Sequence, residues 1–146
     1  MFNWIEDYIK AGSPKVSAKQ LALLAYSKHP KIRLRVAENP KTPEEVLAFL
    51  SGDKEPDVRL AVGTAVHTPA YLIEKLSGDL DPTVRHGIAE DLSTPRRILK
   101  MLAEDDNAYV SCRALKTLES LRSAEIESRS PLRSDRWANP SEQCFA

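Results

Sequence analysis

The chain has 146 residues, with 21 basic and 21 acidic groups, 42% hydrophobic side chains and 6% aromatics. At roughly 100–200 residues per domain this is one domain, too apolar to be wholly disordered, and its balanced charge gives no bulk attraction to nucleic acid or membrane. No apolar run nears the roughly 18 residues that span a bilayer, and Met1-Phe2-Asn3-Trp4-Ile5-Glu6-Asp7 has no leader character, so a cytoplasmic protein without membrane contact is expected. The first predicted element is a helix over residues 2–10, with Trp4, Ile5, Tyr8 and Ile9 on one face. Residues 1–16 read as an N-terminal capping helix whose aromatic face covers the open end of a repeat array.

From about residue 17 to about residue 121 the chain repeats itself every 26 residues. Pro43, Pro69 and Pro95 share one column, each preceded by Thr42, Thr68 or Thr94. Ile32, Val58, Val84 and Val110 share another, and Arg33, Arg59 and Arg85 follow the first three. Leu24, Leu50, Leu76 and Leu102 align, as do Pro30, Pro56 and Pro82, and Asp53, Asp79 and Asp105.

Each unit predicts two short helices. In the second unit Thr42 is the expected N-cap, Pro43 sits in the first turn, and Glu45 completes a capping box. Val46, Leu47 and Leu50 have helical spacing, and Gly52 supplies the stop. A second helix is expected from its N-cap Asp57, with Val58, Val62 and Val66 as the apolar stripe and His67-Thr68-Pro69 as the end. The third unit repeats this with Leu72, Ile73 and Leu76, then Val84 and Ile88. Helices under about 12 residues rarely persist alone in water, so each pair must bury its stripe on the next. The expected fold is an all-α solenoid of about four 26-residue two-helix units, with boundaries near residues 43, 69 and 95.

Ile32-Arg33 followed by Arg35-Val36-Ala37-Glu38-Asn39-Pro40-Lys41-Thr42-Pro43 resembles the repeat of the leucine-rich repeat variant family. Val58-Arg59-Leu60-Ala61-Val62, and Val84-Arg85-His86-Gly87-Ile88-Ala89 with Ser93-Thr94-Pro95, are similar to it in part. The resemblance covers most of residues 17–121 and implies a right-handed superhelix; the units also resemble HEAT repeats, in which an Asp–Arg ladder joins neighbours. A member type of the first family carries an iron–sulfur cluster on four cysteines. No cysteine precedes Cys112 here, so no cofactor is expected.

Toward the C-terminus, Tyr109 to about Glu127 contains neither Gly nor Pro and predicts an extended closing helix. Residues 122–146 read as the end of that cap and a tail, disordered after Ser128 because apolar residues thin out and the period is lost. Cys112 and Cys144 are too few and too far apart for a disulfide scaffold or zinc site, and Cys112 reads as a small buried residue. His29, His67 and His86 occupy different columns without metal-ligand spacing, so no metal is expected. No nucleophile–base pairing or Gly-rich phosphate loop is present, and Asp105-Asp106 reads as turn capping, which points away from an enzyme.

Two features stay open for function. Arg33, Arg59 and Arg85 form a row, either a binding comb for phosphates or carboxylates or a structural ladder, since Asp53 and Asp79 lie six residues before Arg59 and Arg85. Ser27 stands where the first Asp would be and Ser111 where a fourth Arg would be. Arg33 is thus expected to lack an Asp and to form, with Lys31 and Arg35, a free basic patch. The second feature is the face of the second helices at Leu34/Leu60/His86 and Arg35/Ala61/Gly87, off the Val stripe, which either lines an exposed inner surface or packs between units. The expected role is a non-catalytic protein-interaction scaffold using Arg35, Leu60 and His86, with Arg33, Arg59 and Arg85 as charged neighbours. The alternative is nucleic-acid or polyanion binding by the Arg33/Arg35/Arg59/Arg85 strip.

Overall fold

The structure, a computed structural model, describes residues 4–129. Among the described residues every regular element is an α-helix: α1 (Trp4–Ala11), α2 (Ala18–Leu24), α3 (Pro30–Ala37), α4 (Glu44–Leu50), α5 (Pro56–Thr64), α6 (Ala70–Ser77), α7 (Pro82–Glu90), α8 (Arg96–Leu102) and α9 (Ala108–Arg129). The odd helices begin at residues 4, 30, 56, 82 and 108, and the even ones at 18, 44, 70 and 96, so both series advance by 26. The register therefore extends back through α1, which occupies the second-helix position of its own step. Each odd helix packs on the next odd helix, and each even helix wedges against the two odd helices beside it. The chain builds a row of odd helices with a row of even helices along one side.

The core lies between the rows. From the odd helices come Ile32 and Val36, Val58 and Val62, Val84 and Ile88, and Val110 with Ala114; the even helices supply Leu21, Leu47, Leu50, Leu72, Leu76, Ile98 and Leu102. Each such aliphatic side chain contributes about 1.5–3 kcal/mol on burial, which offsets the poor stability of seven- to nine-residue helices. Close approach of the odd helices depends on one small-residue column, Ala11, Ala37, Gly63 and Ala89. Where that column narrows to Gly63, the facing residue enlarges to Ile88, whose Cδ1 lies 3.2 Å from where a Cβ on Gly63 would stand. The pair conserves volume across the interface.

Helix ends depart from the expectations in an instructive way. Thr42 is not an N-cap and no capping box forms with Glu45; Pro43, Pro69 and Pro95 hold the cap position in extended conformation. The threonines turn backward instead. Thr42, Thr68 and Thr94 donate to the carbonyls of Val36, Val62 and Ile88 at 2.5, 2.6 and 2.9 Å, adding a further bond to acceptors that already take the backbone N–H of Asn39, Ala65 and Asp91. A capping box does form one unit earlier, between Ser17 and Gln20. The second helices start at Pro30, Pro56 and Pro82, so Asp57 lies inside α5 rather than at its cap. α5 stops at Thr64, where the Thr68 bond draws the chain across, and Val66 is fully exposed rather than part of the stripe.

The N-terminal end also differs in part from expectation. On α1 Ala11 is buried and Tyr8 half-buried against the core, whereas Trp4, Ile5 and Ile9 remain exposed, so only part of the expected face is covered. The first step is instead tied by Asn39, whose Nδ2 donates to the carbonyls of Ala11 and Ser13 at 2.7 and 3.2 Å. In the same column Thr117 of α9 donates to Ala89 O at 2.6 Å. α9 runs from Ala108 to Arg129, in line with an extended last helix. The tail beyond it, residues 130–146, lies outside the described residues.

Val62→Asp or Ile88→Asp is expected to unfold the array, because a carboxylate on the shared stripe has no partner, and loss of helical circular dichroism at room temperature is the readout. Gly63→Ala is expected to destabilise by about 1 kcal/mol, crowding against Ile88 outweighing the gain in helix preference. In an Ile88→Val background the same change should be neutral or stabilising, which a double-mutant cycle by urea denaturation measures.

Candidate functional site

The most regular polar feature is the arginine column. Arg33 donates from Nε and Nη2 to the two carboxylate oxygens of Asp53 at 2.6 and 2.9 Å. Arg59 binds Asp79 at 2.7 and 2.8 Å, and Arg85 binds Asp105 at 2.7 and 3.0 Å, in the same two-pronged manner. The third prong points backward: Nη1 donates to the carbonyls of Ser27, Asp53 and Asp79, six residues earlier, at 2.8, 2.7 and 2.6 Å. Each guanidinium thus joins the turn its own helix leaves to the turn of the next unit. This corrects the expected pairing, in which an Asp would bind the Arg six residues after it. The carboxylate binds the Arg twenty residues before it, and only the Asp backbone meets the later one.

Each aspartate has a further task. Asp53, Asp79 and Asp105 accept from the backbone N–H of Glu55, Asp81 and Asn107 at 3.0, 2.9 and 2.8 Å, shaping the turn that starts the following helix. Burial pushes the Asp53 and Asp79 carboxyls upward, but the bonds from Arg33 and Arg59 and from those amides outweigh it and hold both below the usual aspartate range. At Asp105 the Arg85 bonds dominate outright, with the same downward result. The arginines are held above their ordinary value, chiefly by the same bonds.

Arg33 is therefore not the free cation expected from Ser27; it is buried, its side chain 8% exposed against 6% for Asp53. Arg35 is half-buried, pairs with Glu38 at 3.1 Å and lies over the Tyr8 ring, 5.6 Å from its centroid. Its guanidinium also fills the space beside Gly12. Leu60 is half-buried and packs where Gly87 has no side chain. Leu34 and His86 are half-buried in the same column. At Arg35 and Leu60 these positions are contacts between successive odd helices with one edge in solvent, each meeting the residue 27 positions away on its neighbour, Tyr8 or Gly87. The exposed positions flanking them are Lys31, Asp57, Thr83 and Tyr109 on one side and Glu38, Thr64, Glu90 and Lys116 on the other.

The remaining candidates stay dispersed. His29 lies beside Trp4 with ring centroids 5.8 Å apart, and no group of metal-binding side chains is gathered among the described residues. Cys112 is exposed rather than buried, since no further helix among the described residues covers that side of α9. Sequence reasoning passed over the exposed aromatic pair Tyr26 and Phe49, 4.7 Å between centroids. A signal for it existed: Tyr26 falls in the column that holds Gly52 and Gly78 in the next two units.

Asp79→Ala leaves Arg59 without its carboxylate and is expected to cost about 2 kcal/mol, less than in a fully dehydrated pair because water still reaches Arg59. Arg97→Ala, which breaks the solvent-exposed pair with Glu74, should leave the urea midpoint almost unmoved. Because the ladder aspartates are held below their unfolded value of about 3.9, their contribution is complete above that pH and is lost as pH falls through the folded values. Thermal unfolding is expected to be flat in this respect from about pH 5 to 8 and to fall steeply below about pH 4, less so in Asp79→Asn. No known family model matches the chain, and neither the curated proteins nor the solved structures yield a match.

Proposed function

We propose that the chain is a right-handed α-solenoid of four 26-residue two-helix units, similar to leucine-rich repeat variant and HEAT arrays, serving as a non-catalytic scaffold for a protein partner. One contrast carries this reading. The columns that build the stack hold the same residue type in successive units: Val or Ile on the stripe, Arg and Asp in the ladder, Thr-Pro at the joint. The exposed columns do not. Lys31, Asp57, Thr83 and Tyr109 share one position, and Lys28, Lys54, Leu80 and Asp106 another. A constant frame that sets different side chains at even intervals suits recognition of an extended protein segment.

The half-exposed edge of the second helices, with Arg35, Leu60 and His86 and their exposed neighbours, is the proposed contact face. A photo-crosslinking amino acid at His86 is expected to capture a discrete partner in native extract, and one at Glu44 on the opposite row far less. Capture at Glu44 alone would overturn the face, and capture at neither, with the fold intact by circular dichroism, would overturn the scaffold.

A further inference from the structure

The turns that join even to odd helices form a second edge, and two clefts open along it. The first, of about 610 Å³, lies between the turns of the first and second units; the other, of about 440 Å³, lies between those of the third and fourth. All nine residues lining the first have their counterparts 52 residues later in the lining of the second. They are one site of the repeat, occurring twice with different side chains.

That equivalence isolates the chemistry. In both clefts the ladder pair is present and neutral as a unit, Arg33 with Asp53 and Arg85 with Asp105. What remains in the first is Lys28 and Lys54, both exposed and in no ion pair among the described residues. In the second, Leu80 and Asp106 replace them and Glu104 replaces Gly52. Setting aside the ladder residues, one cleft carries two positive charges and the other two negative ones. At the intervening step Lys75 takes the place of Phe49 and donates to Ser51 Oγ at 2.8 Å across the two units.

The first cleft also carries the aromatic pair. Tyr26 is 72% exposed and Phe49 50% exposed, and their rings meet at an interplanar angle of 36°. Packing does not require either ring, since Gly52 and Gly78 serve at the position of Tyr26, and Lys75 and Met101 at that of Phe49. Two exposed rings cost solvation without contributing to the core, and they line the same cleft as the two unpaired lysines.

We propose that this cleft binds a short acidic peptide segment carrying one aromatic or large aliphatic side chain, the side chain lying on the Tyr26–Phe49 pair and the flanking carboxylates meeting Lys28 and Lys54. The equivalent cleft, with Glu104 and Asp106, repels the same segment and so fixes where along the array it lies. Both charge and length favour a peptide over a nucleic-acid strand: the positive stretch covers a single step and turns negative two units on, where a continuous phosphate chain would meet Asp106. This rests on the scaffold reading and names the chemistry of one of its contacts, on the turn edge rather than the helix face.

The test uses the full chain and a fluorescein-labelled peptide of alternating Asp and Glu around a central Phe, followed by fluorescence anisotropy. Saturable binding is expected, weakened at least about tenfold by Lys28→Glu/Lys54→Glu and by Tyr26→Gly/Phe49→Ala, with melting curves near wild type. Amide chemical-shift changes in the unaltered chain should concentrate at residues 25–28 and 49–54 and spare 77–80 and 101–106. Equal binding of a lysine-substituted peptide, shifts in the second cleft, or unchanged affinity in both double variants would overturn the proposal. Tighter, steeply salt-dependent binding of single-stranded DNA at the same residues would overturn it in favour of nucleic acid. If the cleft variants lose nothing while crosslinking at His86 still captures a partner, the cleft assignment fails and the scaffold stands; loss of the crosslink alone leaves the peptide site standing.

Discussion

The guanidinium of Arg59 holds three pieces of chain together: its own helix, the turn six residues behind it, and the carboxylate of Asp79 in the next unit. Arg33 and Arg85 repeat the arrangement one unit earlier and later. Each of these charged pairs is short and two-pronged, which makes it directional as well as strong. The dehydration of both ions offsets much of the Coulomb gain, so the ladder's larger contribution is to register. A helix pair displaced along or across the row would strand an arginine and an aspartate away from water. Apolar stripes of Val, Ile and Leu are too alike from unit to unit to forbid such slips by themselves.

The same geometry explains where the ladder begins and ends. Ser27 supplies only the backbone carbonyl that Arg33 requires, and no earlier arginine reaches toward it. At the other end Ser111 stands where a fourth arginine would seek a fifth unit. With no unmatched charge at either end, the ladder closes within the chain. Asn39 and Thr117 then bind the first and last described steps to the carbonyls of Ala11 and Ala89. Between them the column holds Ala65 and Asp91, flanked by units on both sides.

Because stripe, ladder and Thr-Pro joint use the inward positions, the outward positions of each unit are free to differ. The result is a surface that changes in steps. Along the turn edge the exposed residue passes from Lys28 and Lys54 through Leu80 to Asp106, and the clefts beneath follow the same order. Recognition of the proposed kind would depend on position along the row, and the ladder is what makes that position well defined.

The 26-residue period, the two helices per unit and most of the Val and Leu stripes were legible in the sequence, since each is a local pattern repeated until chance is excluded; the long last helix was legible from a stretch without Gly or Pro. What it could not decide was which partner each polar residue takes. Asp53 lies six residues from Arg59 and twenty from Arg33, and only the packing of one unit on the next makes the distant pair the bonded one. For the same reason Thr42 reads as a cap but binds the helix before it, and Arg35 reads as free but rests on Tyr8. Tertiary structure also decided that positions 52 residues apart line equivalent clefts, because a cleft belongs to two turns that meet only in space. Periodicity along the chain specifies the elements; the offset at which they stack specifies the contacts.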